Sequence, residues 1–242
     1  MSKKNNILIT GGSIRIGKEI ALAISSSSNN IVIHCYRSLD QASKLKKSVE
    51  KLGSQCAVIK CDLSKKKSVE GLMKKACKFF GPINCLINNA SVFENDNINN
   101  FTIDSWDKHM NVNLYAPLKL SKDLKKLLPA NSKGHIINIL DQNVLKSDIS
   151  FLSYSLSKAA LHSATKILAK SFAPNIRVNA IGPGPTIKNV HQSSKHFKES
   201  VKKTLLKIGS PPKEIARTVK FILESNSITG QFIVVDGGEH LS

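Results

Sequence analysis

Short apolar runs, each closed by turn residues and followed by a stretch of helical periodicity, recur along the whole 242-residue chain. The run HIINIL (135–140) is apolar at nearly every position. A strand hides both of its faces only inside a parallel sheet covered on both sides. The same rhythm joins NILIT to IGKEIALAISS, IVIHCY to LDQASKLKKSVEKLG, and CAVIKCDL to a single helix over KKSVEGLMKKACKFFG. It continues with INCLINNA, a helix over residues 102–128, HIINIL, a helix over 153–172, NIRVNAIGPGP, a lysine-rich loop with two short helical segments, and GQFIVVDGG. Such alternation predicts an α/β fold, doubly wound, with one parallel sheet of about seven strands and helices on both faces. No repeat, low-complexity tract or linker divides it, so residues 1–242 read as one domain. Residues from about 186 to 210 follow GPGP and have the weakest periodicity, which makes them the expected substrate lid. Ligands of such sheets bind beyond the carboxyl ends of the strands.

Charge and cysteines narrow the partners. The net charge of +19 invites a nucleic-acid reading, but arginine occurs only at Arg15, Arg37, Arg177 and Arg217. The lysines spread over helix faces without interleaved aromatics, which describes a solvated surface rather than a binding stripe. Five cysteines with no C-x-x-C pair argue against a disulfide framework and for a reducing, cytoplasmic setting. The nearest histidine pair, His191 and His196, has no metal-site neighbourhood, and no apolar stretch is long enough to span a membrane.

Five motifs carry chemistry. TGGSIRIG (Thr10–Gly17) leaves the first strand and opens the first helix, where glycines admit a phosphate and helix amides bind it. The second strand ends in HCYRS with no acid until Asp40, so Arg37 and Ser38 suit the extra phosphate of NADPH better than the ribose of NADH. Asp62 in CDLS ends the third strand within reach of an adenine. YSLSK sets Tyr154 and Lys158 one helical turn apart, where an ammonium stabilises a phenolate. Finally, the strand HIINIL delivers Asp141 at its tip, either as a turn residue or as a proton carrier.

Together TGGSIRIG, CDLS, NNAS, NVNLYAP, YSLSK, RVNAIGPGP and TGQFIVVDGG resemble the short-chain dehydrogenase/reductase family over the whole chain. The resemblance implies a Rossmann-type domain binding NADPH through Gly11, Arg15, Ile16, Gly17, His34, Tyr36, Arg37, Ser38, Asp62, Leu63, Asn89, Ala90, Ser91, Tyr154, Lys158, Pro183 and Gly184. It implies Tyr154 as the acid and Lys158 as ribose anchor and pKa tuner. Asn113 would shape the active-site helix and hold a proton-relay water. Two departures stand out: Arg15 replaces a usual glycine, and Asp141 replaces the usual catalytic serine. Both are similar to the branch of pteridine and dihydromonapterin reductases. That branch implies Phe93 stacking a pterin on the nicotinamide, with Arg15, Ser91, Asp141, Tyr154 and Pro185 also at the substrate. It also implies a homotetramer or homodimer packed through the helices bearing Asn113 and Tyr154, with the tail Glu239–Ser242 able to reach a neighbour. A pterin is reduced at C=N bonds, so a ring nitrogen needs a proton that an acid can relay. The alternatives are a 3-oxoacyl thioester or other carbonyl reductase, with Ser147, Ser150 or Ser153 standing in for the lost serine, and a non-catalytic NADPH or nucleic-acid binder.

Overall fold

The computed structural model describes residues 4–146, 149–187 and 194–242, without the side chains of Ser194 and His196. Within them the chain runs β1 (Asn5–Ile9), α1 (Arg15–Ala23), β2 (Asn29–Cys35), α2 (Leu39–Lys51), β3 (Gln55–Lys60), α3 (Lys66–Val69), α4 (Leu72–Phe80) and β4 (Cys85–Asn88). It continues α5 (Ile103–Met110), α6 (Ala116–Leu127), β5 (Gly134–Ile139), α7 (Leu152–Phe172), β6 (Ile176–Pro183), α8 (Ser194–Lys203), α9 (Pro212–Glu224) and β7 (Phe232–Val235). The strands form one parallel sheet of order β3-β2-β1-β4-β5-β6-β7.

Period-two alternation divides each strand between two layers. Ile7, Ile9, Ile31, Ile33, Ile137 and Ile139 face a layer built from α1, α2 and α9, whose Ile20, Leu45 and Val219 meet them. Leu8, Val32, Leu86, Ile136 and Val178 face the other way, against Met73 of α4, Leu120 of α6 and Phe172 of α7. This two-sided burial is the reason β5 reads as a continuous apolar run; all six of its residues are buried. One polar thread crosses the second layer. Asn88 donates to Asn138 at 2.8 Å, and Asn138 donates to Thr165 at 2.9 Å, tying β4, β5 and α7 together.

Two expectations change. The helix expected over 66–81 breaks into α3 and α4 at Gly71, whose φ of +80° ends the first turn. The helix expected over 102–128 holds a π-helical segment, Asn111–Tyr115, between α5 and α6. The two short helical segments expected after GPGP are α8 and α9, and residues 188–193 with His191, and Ser147, lie outside the described residues. The tail folds onto its own chain: Lys146 Nζ donates to the Ser242 carbonyl at 2.5 Å. Among the described residues no helix is long and apolar enough to cross a membrane.

Candidate active site

The carboxyl ends of β1, β4, β5 and β6 converge with the N-terminal turns of α1 and α7. The turn after β1 is held from several sides. Gly11 has φ +59° and approaches Ala90 so closely that a Cβ would lie 2.9 Å from its Cα. Asn89 Nδ2 donates to the carbonyls of Thr10 and Gly11, both at 2.9 Å, and Thr10 Oγ1 accepts the amides of Asn89 and Ala90. Asn89 and Ala90 thus shape the turn. Ile14, the N-cap of α1, offers no side-chain cap, and the first turn carries no acid. The leading amides of α1 are therefore left for an anionic ligand. Arg15 sits in the left-handed region at φ +52°, which explains why glycine is the usual residue there. Its guanidinium reaches the Ile187 carbonyl at 3.1 Å, bridging the turn to the segment beyond β6.

His34 is buried, and both ring nitrogens are committed. Nδ1 accepts the Gly11 amide at 3.1 Å, and Nε2 donates to the Cys61 carbonyl at 3.0 Å. It positions the turn and does not face the cleft. Burial pushes its pKa down to about 4. The unfolded chain takes up this proton below about 6.5, so stability is present above that pH and falls as pH drops toward 4. Going from pH 7 to pH 5 should cost about 2 kcal/mol through His34. Urea midpoints of the protein and of His34→Gln measure this; equal losses in the two would reject the assignment.

At the end of β2, Arg37 lies over the ring of exposed Tyr36 at 5.3 Å, and Ser38 Oγ is 2.5 Å from Ser13 Oγ. Ser13 was not among the expected residues; a serine in a glycine turn carries no signal of its own. Asp62 accepts from Ser64 N at 3.0 Å and Ser64 Oγ at 2.7 Å, and these bonds with that from Tyr36 hold its carboxyl below the usual range despite burial. Leu63 is buried in the second layer and Ile16 packs against the first, so both are supports. Gly184 donates to Val235 O at 3.1 Å, and a Cβ on it would lie 2.6 Å from Asp236 Cβ. Pro183 ends β6, and the Pro185 carbonyl accepts the Ser210 amide at 2.8 Å.

The acid at the tip of β5 serves two purposes. One carboxylate oxygen of Asp141 accepts the Asn143 amide at 2.9 Å, capping the 3-10 turn Gln142–Leu145; the other accepts the Tyr154 hydroxyl at 2.6 Å. It is both turn residue and partner of the tyrosine. Burial raises the Asp141 pKa, against the bonds from Tyr154 and Asn143 and the nearby Lys158. Tyr154 is also raised, well above its ordinary value, by burial and by Asp141. This corrects the expectation of a phenolate favoured by lysine. The Lys158 ammonium donates to the Ile139 carbonyl at 2.9 Å and sits 5.7 Å from the Tyr154 ring, too far to offset a carboxylate in contact. Burial brings Lys158 itself down to about 8.

Asn113, in the π segment, spends its side chain on local bonds. It donates to Val92 O and Ser157 Oγ, both at 3.0 Å, and accepts from Val92 N at 2.9 Å and Ser91 Oγ at 3.3 Å. It pins the loop carrying Ser91 and Phe93 to α7. Phe93 stands edge-on to Tyr154 at 4.6 Å, and one face of it stacks on Phe151 at 4.3 Å.

Two further supporting residues escaped the sequence. Phe151 is the N-cap of α7 in the left-handed region, φ +58°, with no side-chain cap. Asp96 supplies the missing cap from the loop after β4: its carboxylate accepts Ser153 N at 3.0 Å and its carbonyl accepts Leu152 N at 3.2 Å. A cap from that far along the chain leaves no local S/T/D signature.

A family model described as enoyl-(acyl carrier protein) reductase matches residues 13–240. A dihydromonapterin reductase of Shigella boydii is 29% identical over 239 residues, covering 97% of this chain and 96% of that protein. Two crystal structures of FolM alternative dihydrofolate reductase 1 with NADP, from Brucella suis and Brucella canis, are each 41% identical. The first superposes with a TM-score of 0.95 over 100% of this chain and 97% of that one; the second with 0.92 over 98% and 95%.

Proposed function

This chain belongs to the short-chain dehydrogenase/reductase family, and from that premise we propose that it is an NADPH-dependent reductase of a C=N bond in a dihydropterin, of the dihydromonapterin, dihydrobiopterin or dihydrofolate kind. The observation that carries the proposal is the 2.6 Å bond between Tyr154 and Asp141, where the family usually has a serine. The relatives named for dihydromonapterin and dihydrofolate reduction support the substrate class.

The glycine turn fits a dinucleotide, since glycine at 11 and 17 lets the turn close tightly on Ala90 and Asn89 and the α1 amides are uncapped. Arg37 and Ser38 would hold the 2′-phosphate, Asp62 the adenine side, Lys158 the nicotinamide ribose, and Arg15 the phosphates and the pterin side. NADPH, when bound, would supply the hydride. Phe93 would lay its face opposite Phe151 on the flat ring. The proton for the ring nitrogen comes from Tyr154. A protonated Asp141 donates to the Tyr154 oxygen and frees the phenolic proton to point into the cleft; afterwards the carboxylate takes the hydroxyl bond seen here. A raised Asp141 pKa favours this, and turnover falls as pH rises through it. Family membership also supports a homotetramer or homodimer.

Asp141→Ser tests the proposal. With dihydropterin as substrate, kcat should fall about a hundredfold, and any activity on a 3-oxoacyl thioester should fall less. Equal loss on both, or thioester turnover alone in the unmodified protein, would favour the carbonyl-reductase alternative. A second variant addresses the cofactor. Arg37→Glu should move preference from NADPH toward NADH by about two orders of magnitude in kcat/KM; an unchanged ratio would remove Arg37 from the phosphate site.

A further inference from the structure

The π-helical segment Asn111–Tyr115 joins α5 to α6, and its side chains bond in two directions. Residues two apart on a helix point to nearly opposite sides. Asn113 faces the substrate side, where its carboxamide holds Ser91, Val92 and Ser157. Ser157 Oγ in turn donates to the Tyr154 carbonyl at 2.6 Å. Asn111 faces the other way. Its Nδ2 donates to the Ser64 carbonyl at 3.0 Å, a bond that the mechanism proposed above leaves without a role.

Ser64 lies in the turn after β3 that carries Asp62, the residue proposed above for the adenine side of the cofactor. Asp62 accepts the Ser64 amide at 3.0 Å and the Ser64 hydroxyl at 2.7 Å, which fixes the two residues to each other. A second tie runs beside the first. Lys66 Nζ, at the start of α3, lies over the ring of Tyr115 at 5.5 Å. The π segment is therefore gripped at its first and last residues by the polypeptide that follows β3. Single π-helical turns are rare and recur at functional sites. This one spans the gap between the adenosine turn and the loop bearing Phe93, with a carboxamide bonded on each side.

We propose that Asn111 is a positioning residue that couples the two halves of the site. A nucleotide held at Asp62 fixes the Ser64 carbonyl, Asn111 passes that order to the π segment, and Asn113 passes it to the loop of Ser91 and Phe93. The substrate platform is thus firmest when the adenosine is bound. The inference rests on the placement of the adenosine beside Asp62 and of the substrate beside Phe93. By linkage the coupling works both ways, each ligand tightening the other.

The first test needs no substrate. Adenosine 2′,5′-bisphosphate fills the adenosine half alone, and amide exchange at Val92, whose N–H is held by Asn113, reports how often the loop opens. Saturating bisphosphate should shift the Ser64 amide signal and slow Val92 exchange about fivefold, the weight of one hydrogen bond. The Ser26 amide, bonded to Ser54 at the amino end of the sheet, should keep its rate. Asn111→Ala removes the donor, and so does Asn111→Asp, which keeps the shape. In both, the bisphosphate should bind within about threefold of its usual affinity while Val92 no longer responds. Asn111→Gln, which keeps a donor, should recover part of the response. A bisphosphate that shifts Ser64 but leaves Val92 unchanged in the unmodified protein overturns the coupling, as does a full Val92 response in the Ala and Asp variants. A bisphosphate that leaves Ser64 unshifted strikes down the adenosine placement and the coupling with it. Where dihydropterin is turned over with NADPH, its KM should rise about fivefold in Asn111→Ala while kcat stays within about twofold. A KM that stays put while the Val92 response is lost would refute the effect on substrate. Failure of the unmodified protein to reduce any dihydropterin counts against the substrate class, and Val92 then decides the coupling.

Discussion

Tyr154→Phe lowers kcat for dihydropterin reduction by about a thousandfold while the Kd for NADPH stays within about threefold. The size follows from removing a general acid, a change worth roughly 10²–10⁴ in rate. The phenyl ring keeps its edge-on contact with Phe93, and Lys158 keeps its bond to the Ile139 carbonyl, so the cofactor side is preserved. The substitution also strips Asp141 of a 2.6 Å donor in a half-buried position. Its carboxyl then becomes still harder to ionise, and the protein loses about 1–3 kcal/mol of stability. Single-turnover measurement of NADPH oxidation, with fluorescence titration for binding, separates the two effects. A loss confined to NADPH affinity would mean that Tyr154 holds the cofactor and that another group delivers the proton.

Gly17→Ala abolishes cofactor binding over the accessible range, a loss of at least about a hundredfold, and lowers stability by about 1–3 kcal/mol. The physical cause is local. A Cβ there would lie 2.3 Å from the Gly11 carbonyl oxygen, 2.7 Å from Asn89 Nδ2 and 2.8 Å from Gly12 Cα. Two of these are backbone atoms of the phosphate turn, so the turn itself must move. Gly71→Ala is the control. That glycine has φ +80° but nothing within 4 Å of its would-be Cβ, so alanine costs only backbone strain, about 1 kcal/mol, and leaves NADPH binding intact. Isothermal titration with NADPH and thermal melts of the two variants distinguish a lost cradle from a generally weakened fold. Equal effects would place the loss in the fold.

The fold was legible because two-sided burial writes itself into composition. A strand such as β5 has no polar face, and its helices carry apolar residues on one side only. The break at Gly71 was legible less well, since one glycine within a helical pattern does not tell by itself whether a helix tolerates it. At the site, Arg15 and Asp141 stood out as substitutions in otherwise regular motifs, and the structure gives each a physical reason: a left-handed backbone at one, a shared turn and tyrosine contact at the other. What sequence did not disclose depends on neighbours far along the chain. Asp96 capping α7 and the upward shift of Tyr154 both arise from burial and contacts formed only when the sheet is assembled.

The order of the strands carries a consequence for how the protein is made. β3, β2 and β1 emerge first and pair among themselves, and from then on every new strand adds to one side: β4 to β1, β5 to β4, β6 to β5 and β7 to β6. No strand has to be threaded between two that are already joined. Synthesis at about 5–20 residues per second takes roughly ten to fifty seconds for such a chain. Throughout that interval a single apolar edge is advancing and unpaired, and it is the part of the nascent protein that a holding chaperone would have to cover. The last strand, Phe232–Val235, is four residues long and only partly buried. It closes the advance with a short edge on that side, while β3, Gln55–Lys60, stays as the edge on the other.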